Sequence, residues 1–167
     1  MSLVRIRSGG QSGVDRAALD AAIASSIPYA GWCPKGGWAE DFPKPPGLLA
    51  KYKNLRATPS ALPEQRTAWN VRDSTATLVL VNGADTPSKG TEFTRLCADL
   101  IFERPFLWCD FSSTNAEDTI LIWLADISLV TRKIELNIAG PRESESPGIY
   151  VAACGFLLEL FSDLRSR

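Results

Sequence analysis

No histidine occurs anywhere in these 167 residues, and that single gap removes much of the usual site chemistry. Ser-His-Asp and Cys-His nucleophile pairs cannot be built, so a proton-transfer group working near neutral pH would have to be a strongly shifted carboxyl or lysine. The common zinc-ligand sets fall with it, because the four cysteines, Cys33, Cys97, Cys109 and Cys154, also lack CxxC spacing. Reduced, packed thiols and no protein-ligated metal are the expectation. An excess of charge is missing too: 18 Lys and Arg stand against 19 Asp and Glu, so no overall field draws the chain to nucleic acid or anionic lipid. The basic residues are scattered rather than clustered, and neither nucleic acid nor membrane is expected as a partner. Long hydrophobic runs are absent as well. The chain starts Met1-Ser2-Leu3-Val4-Arg5 with no apolar leader, and no later stretch approaches the about 20 residues of a membrane helix. Cytoplasmic residence is expected.

What is present is an alternation of short apolar runs with helix-period segments, the pattern of βαβ units around a mainly parallel sheet. Leu3 to Ser8 reads as a strand that breaks into Gly9-Gly10-Gln11-Ser12-Gly13. Val14, Ala17, Ala18, Ala21 and Ala22 then recur at helical spacing. A second strand, Ala76 to Val81, passes through a polar loop into a helix with Phe93, Leu96, Cys97, Leu100 and Ile101 on one stripe. A third, Pro105 to Asp110, precedes a helix capped at Asn115 and carrying Ile120, Trp123, Leu124 and Ile127. The last, Lys133 to Ala139, ends in Gly140-Pro141-Arg142-Glu143-Ser144 before a closing helix that stacks Ile149, Ala153, Phe156, Leu157, Leu160, Phe161 and Leu164. The length suits one domain. The expected fold is therefore a single three-layer Rossmann-like α/β domain over residues 1–167, its mainly parallel sheet flanked by helices.

Residues 30–62 break the rhythm. They are rich in Pro, Gly, Lys and aromatics, show neither period, and are too long for a simple connector, so a lid over the site is expected there. Trp32 and Trp38 could stack on a flat purine or pterin ring or simply pack this lid. Trp69 follows in a short helix, where Arg66 or Arg72 could reach a phosphate. Cys33 beside Lys35 could be activated by a cation or be a packed thiol.

The glycine turn is where chemistry can enter, because residues without Cβ let backbone amides approach an anion at the positive end of the next helix. Gly9, Gly10 and Gly13 give GGxxG, which is neither GxGxxG nor a P-loop, so the turn alone suits a steric joint as well as an anion site. Recurrence favours the anion site. Lys89-Gly90-Thr91 and Gly140 to Ser144 also follow strands, at the edge where open α/β sheets hold ligands, and the three loops could share one crevice. Arg142 could clamp phosphate bidentately, while Thr91 and Ser144 could donate hydroxyls or cap their helices. Asp15 would repel an anion unless turned away, and is not assigned as a ligand.

Ser8 to Asp20, Gly31-Trp32-Cys33-Pro34-Lys35-Gly36, Ala39-Glu40-Asp41, Arg66 to Val71 and Asn137 to Ser144 also carry a resemblance in collinear order. Together they are similar to the molybdenum carrier family, within the Rossmann-like SLOG superfamily that includes DNA-processing proteins and phosphoribohydrolases. The resemblance implies a binding face made by Gly9, Gly10, Gln11, Ser12, Gly13, Lys35, Gly90, Thr91, Gly140, Pro141, Arg142, Glu143 and Ser144. Its implied guest is a phosphate-bearing nucleotide-like or pterin ligand, with the molybdenum cofactor (molybdopterin) as the specific form. It also implies dimers or tetramers. Two departures stand out. Relatives commonly read Gly-Gly-Thr where this chain has Lys89-Gly90-Thr91, and the segment Phe42 to Tyr52 is longer and richer in proline. The phosphoribohydrolases have a catalytic Glu three residues after the Thr, a place that Thr94 takes here, so no catalytic residue is assigned. A hydrolase acting on the N-glycosidic or phosphoester bond of a nucleotide derivative, with Glu40, Asp41 or Asp73 as acid or base, is the alternative to carriage.

Overall fold

The computed structural model describes residues 2–83 and 88–166, so residues 84–87 of the expected polar loop lie outside the described part. The strands are β1 (Ser2–Arg7), β2 (Tyr29–Cys33), β3 (Leu55–Ala57), β4 (Ala76–Val81), β5 (Phe106–Asp110) and β6 (Lys133–Ala139). They form one sheet, every pairing parallel, in the order β3-β2-β1-β6-β4-β5. The helices are α1 (Val14–Ala24), α2 (Leu48–Lys51), α3 (Pro63–Arg72), α4 (Lys89–Leu96), α5 (Ala116–Val130) and α6 (Ile149–Ser166). This is the Rossmann-like α/β arrangement expected. β4 is buried at all six positions, as a parallel strand covered on both faces should be.

One face of the sheet carries the main core. Ile6, Leu78, Leu80, Ile134, Leu136 and Ile138 meet α1, α5 and α6, each contributing roughly 1.5–3 kcal/mol by leaving water. The alanines of α1 do what their size permits: Ala17, Ala18, Ala21 and Ala22 are fully buried and let α1 lie close to both sheet and α6. On the other face Val71 of α3 packs with Cys97 and Ala98.

Two expectations change. The segment 30–62 holds most of β2, the edge strand β3 and a helix as well as a loop, because β2 pairs with β1 and β3 with β2 while Leu48, Tyr52 and Leu55 pack on Leu19 and Cys33 as a separate core. The stripe expected on the fourth helix is also broken: Cys97 is buried, but Leu96, Leu100 and Ile101 are exposed. A π-helical turn over Cys97–Ile101, whose i→i+5 bonding changes the rotation per residue, carries Leu100 and Ile101 off the row that Phe93 and Cys97 begin. Asn115 sits at the N-cap of α5, yet its carboxamide oxygen accepts from Ser113 Oγ at 2.6 Å rather than from the helix.

Candidate functional site

Because β1, β6 and β4 are neighbours, the segments leaving their carboxyl ends come together. Gln11 and Asp15 from the first, Gly140, Arg142 and Glu145 from the second, and Ser88 to Thr91 with Thr94 from the third line one hollow of about 260 Å³, closed on its other side by Pro63, Glu64, Arg66 and Thr67 of α3. A second hollow, of about 430 Å³, is lined by Lys35, Trp38, Pro43, Pro45 and Ala61, and shares Pro63 and Arg142 with the first. A third, of about 330 Å³, takes Ser12, Gly13 and Glu143 with Arg16, Asp20, Asp41, Lys51 and Tyr150.

The sequence-derived site residues therefore divide. Gln11, Gly90, Thr91, Gly140 and Arg142 line the first hollow, Lys35 joins Arg142 at the second, and Ser12, Gly13 and Glu143 line the third. Gly9, Gly10, Pro141 and Ser144 line none of the three. Gly10 is turned to Leu19, Leu48 and Leu55, and a Cβ on Gly9 would collide with the Arg66 guanidinium. Gly13, at a φ of 78°, lies so close to the Pro141 carbonyl that no side chain fits there.

Many polar groups of these loops are already engaged. The Gln11 carboxamide oxygen accepts from the amides of Ser12 at 3.0 Å and Glu40 at 2.9 Å. Thr91 Oγ1 donates to the Ser88 carbonyl at 2.8 Å, and the Ser88 hydroxyl accepts from the Thr91 amide, so this pair caps α4. The Glu143 carboxylate accepts from the amides of Gly148 and Tyr150 at the start of α6. Thr94 Oγ1 donates to the Gly90 carbonyl at 2.9 Å.

Two arrangements lay beyond sequence reasoning. Asp15, buried in the first turn of α1, accepts from Arg66 at 2.8 Å. Burial pushes its pKa up, against the pull of the Arg66 charge and hydrogen bond and of the Gln11 amide. A carboxylate of the protein itself thus answers the positive end of α1. A buried Asp among apolar neighbours does signal an obligatory partner, but nothing in the chain says that Arg66 is the one. The second arrangement is a clasp. Glu40 accepts from the hydroxyl of Ser12, from the Ser144 amide at 3.3 Å and from the Ser144 hydroxyl at 2.6 Å, while Asp41 pairs with both terminal nitrogens of Arg16 at 2.8 and 2.9 Å. Partial burial acts to raise both carboxyls, but these partners outweigh it and leave each below its ordinary pKa. The stretch after β2 is in this way tied to both the glycine turn and the Gly140 to Ser144 loop.

The tryptophans separate as well. Trp32 donates from Nε1 to Asp73 at 2.7 Å and meets Trp69 edge-on at 4.8 Å, so it packs, whereas Trp38 stays 36% exposed at the second hollow. Arg72 pairs with Asp73 and lies over Trp69, and of the two candidate arginines only Arg66 reaches the first hollow. Cys33 is a packed thiol, its pKa pushed up to about 11 by burial.

Lys89 and Arg142 are the cations of the first hollow that no ion pair engages among the described residues. Among those residues no group of three or more cysteines, aspartates or glutamates is placed to hold a metal ion, and no helix is long and apolar enough to cross a membrane.

Comparison with known proteins bears on the whole of this arrangement. The crystal structure of a "Putative molybdenum carrier protein" from Syntrophus aciditrophicus SB superposes with a TM-score of 0.79 at 39% identity, covering 96% of this chain and 95% of that one. No curated protein matches the chain. The profile of the circularly permutated YpsA SLOG family matches residues 6–161, from the end of β1 to well within α6, and the chain belongs to that family.

Proposed function

We propose that this protein binds a phosphate-bearing nucleotide-like or pterin ligand in the first hollow and carries it without turnover, the molybdenum cofactor being the specific cargo. One observation carries the reading: three loops at the carboxyl ends of adjacent strands line a single hollow in which Lys89, Arg142 and the first turn of α4 are available to negative charge. Arg142 supplies the planar fork that suits phosphate, and Lys89 a mobile point charge. The name of the structural neighbour supports molybdenum as the metal in question. With no protein ligand set among the described residues, the metal would travel within its own cofactor. The reading includes cytoplasmic residence, self-association into dimers or tetramers, and one domain with a lid provided by the long segment 30–62.

A thermal-shift screen with nucleotides, ADP-ribose and molybdopterin tests it. A ligand at about 100 times its Kd adds about 2.7 kcal/mol, worth roughly 5–10 °C in a chain of this size. No shift with any phosphorylated compound sinks the proposal.

Hydrolysis in the same hollow keeps one observation in its favour. Asp15 is a buried carboxyl with a raised pKa lining the hollow, as a proton donor would be. Against it, Thr94 occupies the place of the hydrolase glutamate and spends its hydroxyl on the Gly90 carbonyl. Assaying each thermal-shift hit for released base or phosphate separates the two.

A further inference from the structure

We propose that the second hollow is the seat of a planar heteroaromatic ring belonging to the same ligand whose phosphate enters the first; the inference rests on the anion-binding reading above. The two hollows are contiguous through Pro63 and Arg142, which line both. Their characters are complementary. The first is lined by several charged and hydroxyl side chains and holds Lys89 and Arg142, which no ion pair engages among the described residues, while the second is walled by Trp38, Pro43, Pro45 and Pro63, flat apolar surfaces of the kind that accept an aromatic face.

The backbone that carries Trp38 is held in place. The Lys35 amide donates to the Ser60 carbonyl at 2.9 Å, the Gly37 amide to the Pro34 carbonyl at 2.9 Å, and Ala39 and Phe42 exchange backbone bonds at 3.3 and 2.9 Å. Gly37, at a φ of 73°, lies directly against the Pro46 carbonyl, a contact that any side chain would block. A large indole on so restrained a segment would be expected to pack inward, as Trp32 does. Trp38 instead stays open to the hollow, and its indole N–H has no partner among the described residues.

Charge narrows the class of ring. The charged groups lining the second hollow are Lys35 and Arg142, both of them donors only, and no carboxylate is among its lining residues. A ring whose edge offers acceptors, such as ring nitrogens or exocyclic oxygens, suits that rim. The third hollow is the competing seat, and it is disfavoured on two counts. It shares no lining residue with the first, and Asp20, Asp41 and Glu143 outnumber its cations Arg16 and Lys51.

The experiment compares two probes of equal phosphate content, ribose 5-phosphate and AMP, by calorimetric titration of the wild type, Trp38→Ala and Trp38→Phe. AMP is expected to bind the wild type at least about tenfold more tightly than ribose 5-phosphate, and to quench a part of the tryptophan emission that Trp38→Phe lacks. Trp38→Ala should abolish the margin while leaving the affinity for ribose 5-phosphate unchanged, and Trp38→Phe should keep most of it. Equal affinity for the two probes, or an equal loss of both in Trp38→Ala, overturns the ring seat and leaves the phosphate site standing. Failure of both probes to bind the wild type is a different result, which removes the anion site and the inference with it.

Discussion

Replacing Glu40 by alanine should loosen the clasp that joins the stretch after β2 to the two loops beneath it. The carboxylate accepts from three donors, the Ser12 hydroxyl and the Ser144 amide and hydroxyl. A hydrogen bond to a charged group contributes about 1.5–3 kcal/mol where water is excluded. Here one bond is long and the carboxylate is only partly buried, so solvent screening brings the three together down to about 1–3 kcal/mol. Urea unfolding at pH 7 should show that loss, with the melting temperature lower by roughly 2–12 °C. Glu40→Gln should fall between, since an amide keeps one acceptor oxygen but turns a donor toward a site that supplies only donors unless a hydroxyl rotates.

The pH dependence fixes the sign. The folded pKa of Glu40 lies below the ordinary 4.5, so its contribution is fully present above that value and is lost as pH falls through the depressed folded one. Wild type and Glu40→Ala should therefore converge in acid. Limited proteolysis read by mass spectrometry should find new cuts between residues 34 and 47 in the variant at pH 7. Equal stability of the two proteins at pH 7, or a gap that persists unchanged to pH 3, would refute the reasoning.

Arg66→Ala leaves the Asp15 carboxylate buried without its partner and should cost about 3–5 kcal/mol in urea unfolding. Because the folded pKa of Asp15 is already raised, that loss should widen as pH rises above the ordinary carboxyl range, and adding Asp15→Asn should recover most of it. Gly13→Ala places a side chain at a φ of 78°, a backbone strain of about 1–3 kcal/mol, and the clash with the Pro141 carbonyl adds to it, a loss that calorimetric melting would register. Cys33, with a pKa near 11 and no exposure, should react with a disulfide reagent at pH 8 only as fast as the protein opens; rapid labelling of the native protein would contradict its placement.

The strands that could be read from the chain are those with a clear apolar pattern. β4, Ala76–Val81, is buried at every position and nearly all apolar, and β6, Lys133–Ala139, shows itself by Ile134, Leu136 and Ile138 at alternate positions. β3, of only three residues, is an edge strand, and β2 beside it, Tyr29-Ala30-Gly31-Trp32-Cys33, is short; together they carry glycine, arginine and tryptophan, none of which marks a period. The meeting of the three loops was legible because strand ends recur at one edge of a parallel sheet. The Glu40 clasp was not, since its partners lie 28 and 104 residues away and depend on how the stretch after β2 folds back. Nor could the sequence separate Trp32 from Trp38, because what distinguishes them is a carboxylate just after α3, Asp73, that only the fold brings to one of the two indoles.

These contacts also change what the glycine turn is for. Its sequence invites an anion onto the start of α1, but that helix end is already answered by Asp15, and the Gln11 side chain takes up two amides around it. Gly9, Gly10 and Gly13 are required chiefly by close approach, to Arg66, to the leucines beneath and to the Pro141 carbonyl. The glycines thus bring the Gly140 to Ser144 loop against α1, and this packing is what places Arg142 at the junction of the first two hollows. On the proposed reading, negative charge would be met not by α1 but by Arg142, Lys89 and the start of α4, about which the glycine motif itself says nothing. Arg142→Ala should accordingly weaken phosphate binding by roughly tenfold or more while leaving the fold intact, a far larger effect on binding than any neutral change within the turn that folds.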